Sequence, residues 1–147
     1  MTLLRSEPGV TRCVDLDAAP AEVWDALTEQ TLLAEWLADE VEFEPEPGGE
    51  IVCRYADGEE RRGEVELVEE AERLAWSWHR EGAGPTRVEL VLDAVADTRT
   101  RLTVIETAPV FETAPFGAVP LLIGAPLAAT WGPPLARLRA AARLILA

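Results

Sequence analysis

A chain of 147 residues, 48% hydrophobic and 27% charged, has the size and composition of one folded domain around one core. Its formal net charge of −14 argues against a nucleic-acid partner, which needs a basic footprint. All 13 basic residues are Arg, so lysine nucleophiles and Schiff-base chemistry are excluded too.

The charge is uneven. Residues 15–72 hold 20 acids against Arg54, Arg61 and Arg62, a balance of −17, and the rest of the chain balances at +3. The acidic half reads as a solvated face, with a docking surface for a basic partner as the sharper alternative. Cys13 and Cys53 are the only cysteines, and the N-terminus shows no signal-peptide pattern, so a cytoplasmic setting is expected.

Residues 1–9 read as a loose lead-in. From Val10 to Leu16 the pattern alternates, with Val10, Val14 and Leu16 inward and Arg12 sharing their parity awkwardly. Asp17 is placed to cap a helix whose first turn holds Pro20 and whose buried stripe is Val23, Trp24 and Leu27. A second short helix carries Leu32, Leu33, Trp36 and Leu37. The period then changes from 3.6 to 2, with Val41 and Phe43 alternating with acids. Pro47-Gly48-Gly49 makes a turn, and Ile51, Cys53 and Tyr55 form the next inward set.

Asp57-Gly58 resembles a two-residue hairpin turn, but that register would turn the apolar set outward. An odd loop pairing Tyr55 with Arg61, Cys53 with Gly63 and Ile51 with Val65 is preferred. Val65 and Leu67 then face inward, and the alternation lapses at Val68. Arg73–Arg80 follows with Leu74, Trp76 and Trp78 on one face, a large apolar wall whose indole N–H groups need partners. After a Gly82–Pro85 turn come strands at Thr86–Ala94 and Arg101–Thr107, with Val88, Leu90, Leu92, Leu102 and Val104 inward.

From Thr113 to Ala136 there is no charged residue, a length that raises the question of a membrane span. Its prolines and glycines interrupt it too often for one helix, so no stable span is expected. Three fates are open for its apolar side chains, a lid over a cavity mouth, a dimer contact or a membrane-touching loop, the last disfavoured by the negative net charge and the lack of a basic cluster at either flank. The last helix is expected from about Pro133 to Leu146, with Leu135, Leu138, Ala142, Ile145 and Leu146 as its stripe. The class is therefore α+β: an antiparallel sheet of about seven strands, two short helices after the first strand, and a terminal helix laid across the sheet.

Ala19-Pro20-Ala21-Glu22-Val23-Trp24-Asp25-Ala26-Leu27-Thr28, followed by Leu33-Ala34-Glu35-Trp36-Leu37, resembles the opening of the START-like (SRPBCC) superfamily. More narrowly it is similar to the family named after the activator of the heat-shock-protein-90 ATPase. Pro47-Gly48-Gly49, Gly63-Glu64-Val65, Arg73-Leu74-Ala75-Trp76 and Thr100-Arg101-Leu102-Thr103 match later landmarks in order and spacing. The resemblance covers nearly the whole chain from Val10. It implies a helix-grip fold, a curved sheet gripping a long C-terminal helix with a ligand cavity between. It does not imply one activity.

Chemistry-bearing residues are few. His79 has outward parity and Cys53 inward, which argues against a Cys–His dyad. Two Cys and one His do not make a zinc set, and no phosphate loop is present, so neither metal nor cofactor is expected. Glu106 shares parity with Leu102 and Val104, leaving two readings: a solvated strand end, or a partly buried carboxylate linked to Arg61 or facing a ligand. The aromatic residues are either core or ligand box. The expected function is binding of a hydrophobic small molecule between sheet and last helix, lined by Trp36, Tyr55, Arg61, Trp76, Trp78, Glu106, Phe111, Phe116 and Trp131. Two alternatives stay open: a cyclase or hydrolase using Glu106 as acid/base, and a co-chaperone or other protein-binding module. A homodimer or chaperone contact is likewise open.

Overall fold

The computed structural model describes residues 9–108 and 121–141, the side chains of 121–130 excepted. Phe111, Phe116 and the first third of the expected lid, residues 113–120, lie outside the described residues, as do Ala142, Ile145 and Leu146; the rest of that segment is helix. The elements are β1 (Gly9–Leu16), α1 (Pro20–Thr28), α2 (Gln30–Trp36), β2 (Glu40–Phe43), β3 (Glu50–Arg54), β4 (Glu60–Glu69), β5 (Arg73–Arg80), β6 (Thr86–Ala96), β7 (Arg99–Thr107) and α3 (Leu121–Ala141). All seven strands form one antiparallel sheet in the order β1-β7-β6-β5-β4-β3-β2. The three helices lie on the apolar face, with α3 against β1 and α2. This is the expected helix-grip architecture.

Alternation builds the core. Leu74, Trp76 and Trp78 on β5 stand beside Val65 on β4, Val88 and Leu90 on β6, and Leu102 and Val104 on β7, all essentially buried. The polar face is laced by cross-strand pairs such as Arg54–Glu42 (2.7 Å), Arg87–Glu66 (2.8 Å) and Arg101–Asp15 (2.9 Å). Such exposed pairs set register more than they add stability, each contributing at most about 1 kcal/mol.

Four expectations need correction. Ala19, not Asp17, is the N-cap of α1, and the Glu22 carboxylate reaches back to accept from the Ala19 N–H at 3.0 Å. A carboxylate in the first turn thus replaces a capping side chain. The β3–β4 hairpin pairs Cys53 with Arg61 and Ile51 with Gly63, shifted by two residues from expectation. Faces are preserved, because side chains repeat every two positions. The loop closes with Tyr55 N–H bonded to Glu59 O and with Gly58 at φ +95°, a conformation that Gly adopts at no steric cost.

The lapse at Val68 is a β-bulge between Val65 and Leu67. With Glu66 as the extra residue, Leu67 goes to the outer face opposite Ala75, and Val68 packs inward opposite Leu74. Finally, α3 begins at Leu121, not near Pro133, and runs through Pro126, Pro133 and Pro134. Each proline removes one intrahelical bond. Burial of Trp131, Leu135 and Leu138 against the sheet and α2 outweighs that local cost. No described helix is both long and apolar enough to cross a membrane.

Candidate functional site

Glu106 lies near the end of β7, opposite Val88 of β6 and Val10 of β1. It is 1% exposed, which discards the solvated-end reading. Three donors converge on it. Its Oε2 accepts from Trp78 Nε1 at 3.0 Å and from the Thr86 hydroxyl at 2.5 Å, and its Oε1 accepts from Trp131 Nε1 at 2.6 Å. The fold explains the convergence. Trp78 and Thr86 are register partners on β5 and β6, on the inner face, and α3 delivers Trp131 from above. A buried carboxylate is tolerated only when hydrogen-bonded in this way.

The same bonds orient the aromatics. Trp131 stacks on Trp78 with ring centres 6.1 Å apart and planes 23° apart. Trp76 meets Trp78 edge-on at 5.5 Å, and Phe43 meets Trp76 edge-on at 6.2 Å. The Arg61 guanidinium sits 5.0 Å from the Trp78 ring centre and 5.9 Å from that of Tyr55. Trp76 is as buried as Trp78 and Trp131 but differs from them in one respect: its indole N–H has no acceptor among the described residues.

Of the residues expected to form a site, Tyr55, Arg61, Trp76, Trp78, Glu106 and Trp131 are brought together, while Phe111 and Phe116 lie outside the described residues. The expected Arg61–Glu106 link is not formed. Arg61 Nε instead bonds Glu59 at 2.9 Å, because Glu59 is two residues away and partly solvated, whereas Glu106 already accepts three bonds. Trp36 is buried, but its N–H donates to Ala26 O at 3.0 Å and its own carbonyl accepts from Arg137 Nε at 3.2 Å. Its polar groups join α2 to α1 and α3.

Thr86 was not foreseen. Its parity with Val88 and Leu90 was the available signal, since a hydroxyl on that face must find a partner. Burial pushes the Cys53 thiol up to about 12, opposed by nearby Arg61, and pushes the Tyr55 hydroxyl above the usual phenol range. A thiol so held is no nucleophile, and Cys53 and His79 stand on opposite faces, so a dyad is excluded. No cluster of three or more potential metal ligands occurs among the described residues. A groove of about 580 Å³ between β1 and α3, lined by Arg12, Val14, Leu135 and Arg139 among others, includes none of the expected site residues.

No curated protein matches the chain significantly. DynU16, from the dynemicin biosynthetic locus, superposes with a TM-score of 0.75 at 27% identity over 90% of this chain. The chain spans about half of DynU16, 46% of its length. A protein from Rhodobacter sphaeroides gives 0.74 at 25% identity, covering 94% of each chain. The Aha1 dimer from Colwellia psychrerythraea, solved in solution, shares the fold with a TM-score of 0.68 at 20% identity over 90% of this chain and 94% of its own. The family model described as activator of Hsp90 ATPase homolog 1-like protein matches residues 17–120, taking in both short helices and the sheet from β2 through β7, and the chain belongs to that family.

Proposed function

We propose that the chain binds an apolar or aromatic small molecule on the inner face of the sheet, between β5 and α3. The observation that carries this reading is the Trp76 indole N–H, buried and without an acceptor among the described residues. Native interiors rarely leave such a donor unmet, and an orphan costs about 1–3 kcal/mol. A ligand oxygen would satisfy it. Trp78 and Trp131, fixed by Glu106, would supply a rigid aromatic wall, with Arg61 and Tyr55 on the less buried side.

Glu106 supports binding over acid/base catalysis, because its two oxygens are already engaged by Trp78, Trp131 and Thr86. A chaperone contact, suggested by the family's name, would draw on the acidic half of the chain. Several of those acids are already paired, Glu42 with Arg54 and both Glu50 and Glu60 with Arg62. Self-association, the form in which the Colwellia relative was solved, is open to light scattering.

The test is a titration of freshly purified protein with 6-propionyl-2-(dimethylamino)naphthalene, a neutral fluorophore that carries a carbonyl acceptor and brightens in apolar surroundings. One-to-one saturable brightening, with quenching of tryptophan emission, is expected. Absent or non-saturating brightening would refute binding at this face.

A further inference from the structure

We infer that the ligand presents a hydrogen-bond acceptor to this face, a carbonyl oxygen of the ketone, quinone or ester kind, and that the site disfavours ligands whose only polar group is a donor. The inference rests on the binding reading above and follows from counting which polar groups on the inner face are already used.

The strongest acceptor on this face is largely committed. A carboxylate offers roughly four lone-pair positions, and Glu106 uses three of them on Trp78, Thr86 and Trp131. Most buried donors are committed too. The Thr86 hydroxyl goes to Glu106, Trp36 Nε1 to Ala26 O, and the Thr100 hydroxyl to Ala18 O at 2.8 Å. What is left over is a donor, Trp76 Nε1, on a side chain with no exposure. Indole N–H donates and never accepts.

The cation over the Trp78 ring adds more of the same polarity. Arg61, beside Trp78, uses Nε on Glu59, and a guanidinium carries five N–H donors and no acceptor. The Tyr55 hydroxyl can accept, but Tyr55 is only partly buried, so water competes for it. A ligand carbonyl therefore meets an unfilled donor in a low-dielectric setting, where one bond discriminates well. A ligand O–H or N–H at the same place would face the Trp76 N–H donor to donor.

The decisive pair is methyl 2-naphthyl ketone and 2-isopropenylnaphthalene, which share a shape and differ by C=O against C=CH2. Each is used to displace 6-propionyl-2-(dimethylamino)naphthalene from the wild-type protein and from Trp76→Phe. In the wild type the ketone is expected to bind about ten-fold more tightly, the magnitude of one buried hydrogen bond. In Trp76→Phe that preference is expected to vanish, the ketone and the alkene then binding equally. Equal affinities in the wild type, or a preference that survives in Trp76→Phe, would overturn the inference. The wild-type comparison decides alone if the variant does not fold. If the fluorophore binds and the ketone shows no advantage, only this inference falls. If neither the fluorophore nor either naphthalene binds, the binding reading falls with it.

Discussion

Glu106 is the residue on which the inner face depends. A carboxylate is the natural side chain for its place, since three donors point at it and none of the three can be satisfied from solvent. Glu106→Gln keeps the shape but turns one oxygen into an NH2, so at least one indole N–H would face another donor. The variant is expected to lose about 1–3 kcal/mol of stability, read from urea denaturation. An unchanged midpoint would mean that the cage does not hold the fold. Cys53 gives a second test at this scale. Burial lifts its thiol to about 12 from the ordinary 9.0, so its neutral form is favoured in the folded state. That contribution to stability is complete below pH 9 and lost as pH climbs toward 12. At pH 8 a thiol reagent is accordingly expected to label exposed Cys13 alone, with Cys53 reacting only after unfolding. Fast labelling of both in the native protein would contradict the burial of β3.

At the scale of elements, Gly63 shows how closely β4 and β5 approach. An added Cβ would run into the Ser77 carbonyl oxygen and lie 2.6 Å from Trp78 Cα, both backbone atoms that cannot step aside. Gly63→Ala is expected to cost about 3 kcal/mol or more and to disturb the Trp78–Glu106 bond, visible as a lowered melting temperature. For α3, Trp131→Ala removes the side chain that stacks on Trp78 and frees a Glu106 oxygen. A loss of about 3–5 kcal/mol is expected, with the C-terminal helix loosening first in hydrogen exchange. Much of this was legible in the sequence, because a period of two assigns Leu74, Trp76, Trp78, Val104 and Glu106 to one face without further information. Several features were not. A two-residue shift of the β3–β4 hairpin leaves every face unchanged, so patterning cannot detect it. The extra residue at Glu66 appears in sequence only as a broken alternation. Parity also says nothing of depth, so it could not separate a buried Glu106 from a solvated strand end. The start of α3 was misplaced because proline penalties are local, while the burial that offsets them is tertiary.

Across the whole molecule, the sheet order follows chain order from β2 to β7, with β1 returning beside β7. That topology brings the first and last described strands together and sets α3 over the face they share with β5. The helix-grip fold was legible because the opening motif, the turn signals and the strand periodicities all agreed. The ligand was not, because the fold hosts many activities and nothing in the chain's periodicity encodes an occupant. The net charge of −14 has its own consequence: self-repulsion acts against the compact state, and salt screens it. The melting temperature is therefore expected to rise between low and physiological ionic strength. A fall would mean that the screened cross-strand pairs outweigh the net repulsion.

Binding at the aromatic cage is most directly tested by following the five tryptophan indole N–H resonances during titration with 6-propionyl-2-(dimethylamino)naphthalene, whose carbonyl can accept from an indole N–H. Saturable, one-to-one shifts of the Trp76, Trp78 and Trp131 signals are expected, with Trp76 moving furthest because it alone among these three lacks an acceptor in the described structure. A fluorophore that leaves all three resonances in place, or that fails to saturate them, would contradict the account.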